Sequence, residues 1–122
     1  MKQVVIFSGA GISKESGIPT FRDAQTGLWE NYKVEDVAST EGWQRDPGVV
    51  LRFYEARMDN MGKCEPNAAH RAIAKLQSKY KVINVTQNID DLLERAGCEN
   101  VIHLHGDILH RKCEHHKSLT ML

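Results

Sequence analysis

Three short apolar runs, each followed at once by a polar or glycine-rich turn, constrain the fold more than any other feature of this sequence. The runs span residues 4–7, 82–85 and 101–104 and are rich in β-branched side chains. Such runs are typical of strands that are buried on both faces of a parallel sheet. We therefore predict three parallel strands whose carboxyl ends meet at one edge.

Helical patterns separate these runs. One begins at Asp46-Pro47 and is expected to end at Gly62, a second is capped by Asn67, and a third is capped by Asp90 and ends at Gly97. The second helix is expected to bury a stripe formed by Ala69, Ala72, Ile73 and Leu76. This alternation of strands and helices predicts an α/β fold, a partial Rossmann-like parallel sheet with helices on both faces.

The composition excludes several classes of protein. The 122 residues carry 16 basic and 16 acidic side chains, and a zero net charge offers no electrostatic argument for a nucleic acid or an anionic membrane as partner. No apolar run approaches the roughly 20 residues that span a bilayer, and the first residues lack the features of a signal peptide. We expect a cytoplasmic protein. The three cysteines are odd in number and widely spaced, which argues against a disulfide scaffold, and the lack of a Cys-x-x-Cys pair argues against a self-contained zinc site.

The turns that follow the strands are the candidate ligand site, because ligands of such sheets bind beyond the carboxyl ends of the strands. Gly9, Ala10 and Gly11 follow the first strand, and glycines there let the backbone approach a pyrophosphate closely. The next glycine is Gly17, so the usual dinucleotide fingerprint does not match. A glycine turn without a ligand is the open alternative.

The other two turns carry groups suited to a ribose, an amide-bearing ring and proton transfer. Gln87, Asn88 and Asp90 offer carboxamides and a carboxylate, although Asn88 and Asp90 could equally cap a helix. His105 follows the third strand and precedes Gly106, a position suited to a general base near neutral pH. A structural histidine is the alternative there.

Taken together, four motifs resemble the series found in sirtuins, the NAD-dependent protein lysine deacylases. They are residues 9–13, 16–23, 86–90 and 103–106, in the order and at the usual separations of that family. The stretches 27–38 and 66–70 most resemble the bacterial CobB-type members. The resemblance implies that residues 1–122 are the N-terminal part of a sirtuin catalytic domain, with the zinc-module region starting at about residue 107.

The resemblance also implies roles for named positions. NAD would be the co-substrate, and acylated-lysine proteins the substrates, with His105 and Asn88 as catalytic residues. The acyl-lysine carbonyl oxygen would attack the ribose C1′ as nicotinamide leaves, and His105 would then deprotonate a ribose hydroxyl, yielding free lysine and O-acyl-ADP-ribose. The implied cofactor-binding residues are Gly9, Ala10, Gly11, Ser13, Phe21, Arg22, Asp23, Trp29, Gln87, Asn88, Ile89 and Asp90.

Tyr54 and Arg57 resemble the Tyr-x-x-Arg pair of sirtuins that remove succinyl and malonyl groups. At positions i and i+3 of a helix, the two side chains are neighbours. Arginine offers two parallel donors to a carboxylate, and tyrosine adds a hydroxyl. The alternative is that Tyr54 packs in the core while Arg57 is solvated.

The end of the chain departs from the family pattern. Cys113 stands where the first zinc cysteine is expected, but its usual partner is absent, and an exposed polar tail is the alternative to a metal site there. Sirtuins are considerably longer, so we expect a truncated form whose exposed sheet edge favours self-association. The alternative to an active enzyme is an inactive fragment that binds NAD or ADP-ribose.

Overall fold

The computed structural model describes residues 1–19, 28–29, 32–113, 115 and 119–121, and for residues 28, 29, 34 and 119–121 it describes the backbone alone. Among these residues no helix is long and apolar enough to cross a membrane. The elements are, in chain order, β1 (Gln3–Ser8), α1 (Gly11–Lys14), β2 (Leu28–Trp29), β3 (Tyr32–Lys33), α2 (Val34–Val37), α3 (Thr40–Arg45), α4 (Pro47–Lys63), α5 (Ala68–Leu76), β4 (Lys81–Thr86), α6 (Leu92–Arg95), β5 (Val101–His103), β6 (His110–Lys112) and β7 (Leu119–Met121).

The central sheet confirms the predicted α/β class. Its strand order is β1–β4–β5, and both pairings are parallel, with Val5 opposite Ile83 and Val85 opposite Ile102. Parallel neighbours need a crossover connection. The helices between β1 and β4, and the short helix α6 between β4 and β5, lie in these connections. The turns after the three strands therefore lie at the same edge, as predicted.

The prediction that β1 is buried on both faces is wrong. Val5 and Phe7 are 60% and 63% exposed, and Ile102 on β5 is 51% exposed. Ser8, on the other face of β1, is buried. Successive side chains of a strand point to opposite faces, and the described residues cover only one of them. Self-association through this exposed apolar surface stays a prediction.

Helix α4 begins as predicted. The Asp46 side chain accepts a hydrogen bond from the Val49 amide at 3.3 Å, and Pro47 occupies the first helical turn, where its fixed φ suits the helix. The helix continues past its predicted end at Gly62, which does not take the positive φ of a C-terminal glycine. The residues that α4 buries are Val50, Phe53, Arg57 and Met61.

Helix α5 also begins as predicted but buries a different stripe. The Asn67 side chain accepts from the Ala69 amide at 2.9 Å, and the Asn67 amide donates to His70 Nδ1 at 3.1 Å, which together form a capping box. His70 is fully buried, and its burial is tolerated because both ring nitrogens have hydrogen-bond partners. The predicted stripe is wrong, since three of its four members are exposed, namely Ala69, Ala72 and Leu76.

A buried hydrogen-bond network ties α5 to the turns at the end of the sheet. Because Nδ1 accepts, the proton of neutral His70 lies on Nε2, which is 3.4 Å from the Ser13 hydroxyl. The Ser13 hydroxyl donates to Asp90 at 2.8 Å. The other carboxylate oxygen of Asp90 accepts from the Leu92 amide at 3.1 Å and so supports the start of α6, although the residue at the cap position is Asp91, one later than predicted. Gly97, with φ of 108°, follows the end of that helix.

The buried position of His70 predicts a dependence of stability on pH. Burial lowers the pKa of His70, and the Asp90 carboxylate opposes this shift only in part. Below about pH 6.5 the unfolded chain binds a proton at this histidine that the folded chain does not, so acid lowers the free energy of unfolding. His70→Gln keeps a residue suited to a capping box and removes the titration. We expect urea unfolding to depend less on pH between 6.5 and 5 in this variant.

Asn67→Ala is the control for this experiment. It removes the cap and the bonds from the Asn67 side-chain amide to the Ile12 carbonyl and the Ser16 hydroxyl without removing the titrating group, so stability should fall by about 2 to 4 kcal/mol at every pH. Identical pH dependence in the wild type and His70→Gln would contradict a neutral, buried His70.

Candidate active site

The turns after β1, β4 and β5 meet helix α4 around a cavity of about 300 Å³. The cavity collects residues from all four of these segments, together with the short stretch before residue 20. Its lining residues are Ala10, Ser13, Ile18, Pro19, Arg57, Met61, Gln87, Asn88, Ile89, Asp90 and His105. Most of them are residues that the sequence motifs singled out.

The turn after β1 carries two glycines with different surroundings. A side chain at Gly9 would lie 3.4 Å from the Gln87 carboxamide oxygen, which is a tight contact with the second turn. A side chain at Gly11 would meet no atom within 4 Å among the described residues. Gly11 is the first residue of α1 and has no positive φ. Neither packing nor backbone conformation within the described chain therefore requires glycine at this position.

The turn after β4 is held at Asn88 by contacts to the turn after β1 and to the end of β4 itself. Its side-chain amide donates to the Gly9 carbonyl at 2.9 Å, and its backbone amide donates to the Thr86 hydroxyl at 3.1 Å. The Gln87 amide donates to the Ser8 carbonyl at 3.0 Å. These bonds orient the second turn relative to the first.

Asp90 lies at this cavity but is committed to other contacts. Its two carboxylate oxygens accept from the Ser13 hydroxyl and the Leu92 amide, and the residue is 5% exposed. Asp90 therefore holds the turns in place. Asp90 thus both supports the start of α6 and lies at the predicted site.

His105 follows the end of β5 and lies at the mouth of the cavity. The residue is exposed, and it also lines two adjoining grooves. Gly106 takes a positive φ of 79°, which turns the chain away directly after the imidazole. His105 therefore reaches both the cavity and solvent, which a proton acceptor requires.

Arg57 and Tyr54 reach the site from α4 by different routes. Arg57 is fully buried and lines the cavity, so the alternative of a solvated Arg57 is wrong. Tyr54 lines the two adjoining grooves and packs edge-on against Phe53 at a centroid distance of 5.1 Å. Burial raises the pKa of Tyr54, and the Arg57 charge opposes that shift. Arg57 thus shares the cavity with His105, and Tyr54 shares the two adjoining grooves with it.

Several predicted positions lie outside what the structure describes. Phe21, Arg22 and Asp23 are outside the described residues, and Trp29 is described only by its backbone, which pairs with Tyr32. The motifs gave no role to three residues that complete the cavity wall. Ile18 and Pro19 lie within the motif at residues 16–23, whereas Met61 lies on α4, outside every motif.

The metal prediction at Cys113 stays a prediction. Cys113 is half-buried as a free thiol, and His110 is bound to Asp107 at 2.6 Å. Within the described residues, which leave out 114 and 116–118, no group of three or more potential ligands could hold a metal ion.

Comparisons with known proteins agree with this geometry. The chain is 50% identical over 120 residues to an NAD-dependent protein deacylase of Helicobacter pylori, covering 98% of this chain and 52% of the relative. It is 53% identical over 116 residues to the Vibrio cholerae protein of the same description, covering 92% of this chain and 47% of the relative. The chain thus spans about half the length of these curated relatives.

The structural comparison finds the same kind of protein. A Sir2 homologue solved in complex with NAD superimposes with a TM-score of 0.86 at 41% identity, over 99% of this chain and 47% of that structure. The family model described as Sir2 family matches residues 9–121, which include every turn that forms the cavity. The chain therefore belongs to the Sir2 family.

Proposed function

We propose that this chain is an NAD-dependent protein lysine deacylase. The observation that carries the proposal is the cavity at the sheet edge, where Asn88, His105 and Arg57 come together. These groups supply hydrogen bonding, proton transfer and a positive charge around one cavity. The names of the relatives, and the NAD complex of the structural neighbour, support the same assignment.

The first turn fits a bound dinucleotide. The space beside Gly11 is open, and a side chain there would point into it without meeting the described protein. A ligand backed closely against the main chain is a physical reason for glycine at such a position. Gln87 and Asn88 line the adjoining cavity, so carboxamide groups lie next to the glycine turn, where a ribose and an amide-bearing ring would be bound.

The chain's own residues then account for the proton transfer. NAD, when bound, supplies a reactive ribose carbon and nicotinamide as the leaving group. His105 lies at the cavity mouth and accepts a proton from a hydroxyl there, because histidine is the side chain that exchanges protons near neutral pH. Asn88, anchored through its side chain and amide, keeps the cavity wall in place beside it.

Arg57 supports a preference for acidic acyl groups. A buried guanidinium lining the same cavity as His105 would attract the carboxylate of a succinyl- or malonyl-lysine. Its buried surroundings weaken screening by water, which strengthens such a pairing. Tyr54, in the adjoining groove, offers a hydroxyl on the side from which an acyl-lysine would enter.

Gly11→Ala tests NAD binding. Alanine is the better helix former and limits the unfolded chain, so the variant should be as stable as the wild type, or more stable by up to about 1 kcal/mol. The new methyl group would occupy the space assigned to the ligand, so we expect NAD affinity to fall at least tenfold. Thermal unfolding and calorimetric titration with NAD measure the two effects.

Gly62→Ala is the matched control, since Gly62 is also helical and exposed and has no neighbour within 4 Å of an added side chain among the described residues. It should show the same gain in stability with unchanged NAD affinity. Equal NAD affinity in all three proteins would count against ligand binding at Gly11.

Arg57→Met tests the acyl preference. Methionine fills a similar volume without charge, so we expect removal of succinyl groups from a peptide to fall by roughly 10- to 150-fold, and removal of acetyl groups to change by less than about fivefold, since a charged hydrogen bond is worth about 1.5 to 3 kcal/mol. Product formation from succinyl- and acetyl-lysine peptides, followed by mass spectrometry, gives both rates.

Arg52→Met, an exposed arginine on the same helix, is the control and should leave both rates unchanged. Arg57→Lys, which keeps the charge, should retain part of the desuccinylation and guards against a variant that merely misfolds. Equal losses on both substrates in a folded Arg57→Met would refute the acidic-acyl pocket.

A further inference from the structure

His103 lies between two oxygen atoms that can only accept hydrogen bonds. Its Nδ1 is 2.7 Å from the backbone carbonyl of Asn88, and its Nε2 is 2.7 Å from the Glu94 carboxylate. The residue ends β5, the carbonyl belongs to the turn after β4, and the carboxylate comes from α6. One imidazole thus joins three segments beside the cavity.

Two acceptors require two protons on the ring. A neutral imidazole has a single N–H and would leave one of these oxygens facing a lone pair, whereas the imidazolium donates at both nitrogens. The Glu94 carboxylate accordingly raises the pKa of His103 to about 9, against the opposing effect of burial and with help from the Asn88 carbonyl. His103 is therefore a cation at neutral pH.

The carbonyl that His103 holds belongs to the central residue of the second turn. Asn88 is already fixed through its side chain to Gly9 and through its amide to Thr86. The bond to His103 adds a contact at the carbonyl, which fixes the peptide plane between Asn88 and Ile89. Both of these residues line the cavity.

We propose that His103 is a positioning residue that, held as a cation by Glu94, clamps the Asn88 carbonyl and keeps the 87–90 turn in the shape that binds the nicotinamide end of NAD. It does not touch the reacting atoms and acts through Asn88. This inference rests on the proposed function for the identity of the ligand, but the clamp itself concerns only the described residues.

Other charged groups near His103 set the background for its titration. Asp107, in the turn after β5, also raises its pKa and is itself bound to His110. The charged groups and histidines that line the same groove from other elements are Glu55 on α4, His105, His110, Arg111 and Lys112. Glu94 is the one acidic group in the described structure that contacts the His103 ring directly.

Glu94→Gln tests the clamp. Glutamine can still accept the Nε2 proton but no longer stabilises the cation, and because the Glu94 side chain is 40% exposed, the change should be tolerated. We expect NMR titration of the His103 ring to move from a midpoint of about 9 in the wild type to nearer 6.5 in the variant. The Asn88 amide resonance should follow the same midpoint in each protein.

The kinetic effect should depend on pH in a defined direction. At pH 6 His103 is largely protonated in both proteins, so the KM for NAD should be similar. At pH 8 only the wild type keeps both protons. In the variant the neutral ring can keep its one N–H on the Asn88 carbonyl while the glutamine amide donates to the other nitrogen, so the variant's KM for NAD should be roughly fivefold higher, the difference between a hydrogen bond from a charged donor and one from a neutral donor. Glu99→Gln, the same change at an exposed position, should match the wild type at both pH values.

The outcomes separate this inference from the proposed function. The clamp is overturned if His103 of the wild type titrates near 6.5, or if the Asn88 amide resonance does not change as His103 titrates. Both results hold whether or not the chain consumes NAD. A KM ratio that is the same at pH 6 and pH 8 reduces Glu94 to an ordinary structural contact and also overturns it. Absence of NAD turnover at any pH, with both NMR results as expected, refutes the proposed function and leaves the clamp standing.

Discussion

The hydrogen bond from the Ser13 hydroxyl to the Asp90 carboxylate is the contact on which the arrangement of the site depends. Both residues are buried, and together with His70 they join the turn after β1, the turn after β4 and the start of α5. A buried carboxylate is costly unless its oxygens are satisfied, and Asp90 meets this requirement with Ser13 on one oxygen and the Leu92 amide on the other. The residues that line the cavity are therefore held in place by three buried polar side chains, Ser13, His70 and Asp90, which are hydrogen-bonded to one another and to the backbone.

Three basic side chains at the same edge are placed in three different environments. Arg57 is enclosed and lines the cavity, His103 lies between two acceptors, and His105 is exposed at the cavity mouth. These environments are consistent with the three tasks proposed for them, which are attraction of an acidic acyl group, support of the Asn88 peptide plane and exchange of a proton with the reacting hydroxyl. His103 and His105 are two positions apart and look equivalent in the sequence. Their surroundings in the fold, rather than their residue type, make them different.

The sequence predicted the parts of the fold that rest on local patterns. The three strands, the caps at Asp46 and Asn67, and the position of the turns follow from β-branched runs and capping residues, which act over a few residues. The burial of α5 could not be predicted in this way, because an apolar pattern ranks His70 as exposed and one of its two partners, Ser13, is distant in sequence. The exposure of Val5 and Phe7 was missed for a related reason, since a strand's apolar run does not tell which of its faces is covered. The role of His103 depends on Glu94 and the Asn88 carbonyl, and such pairings become visible only in three dimensions.

The measurement that tests the account most directly is sustained, multiple-turnover nicotinamide release from NAD by the pure chain in the presence of an acyl-lysine peptide, compared with His105→Tyr, because His105 acts after nicotinamide has left and its loss halts the cycle. A positioned general base contributes roughly 100-fold or more to a reaction, so we predict peptide-dependent release by the wild type and a loss of at least that size in the variant. Both proteins should bind NAD and unfold at similar temperatures. Release that continues unchanged in His105→Tyr, or a wild type that binds NAD without releasing nicotinamide, would contradict the assignment of this edge of the sheet as a deacylase active site.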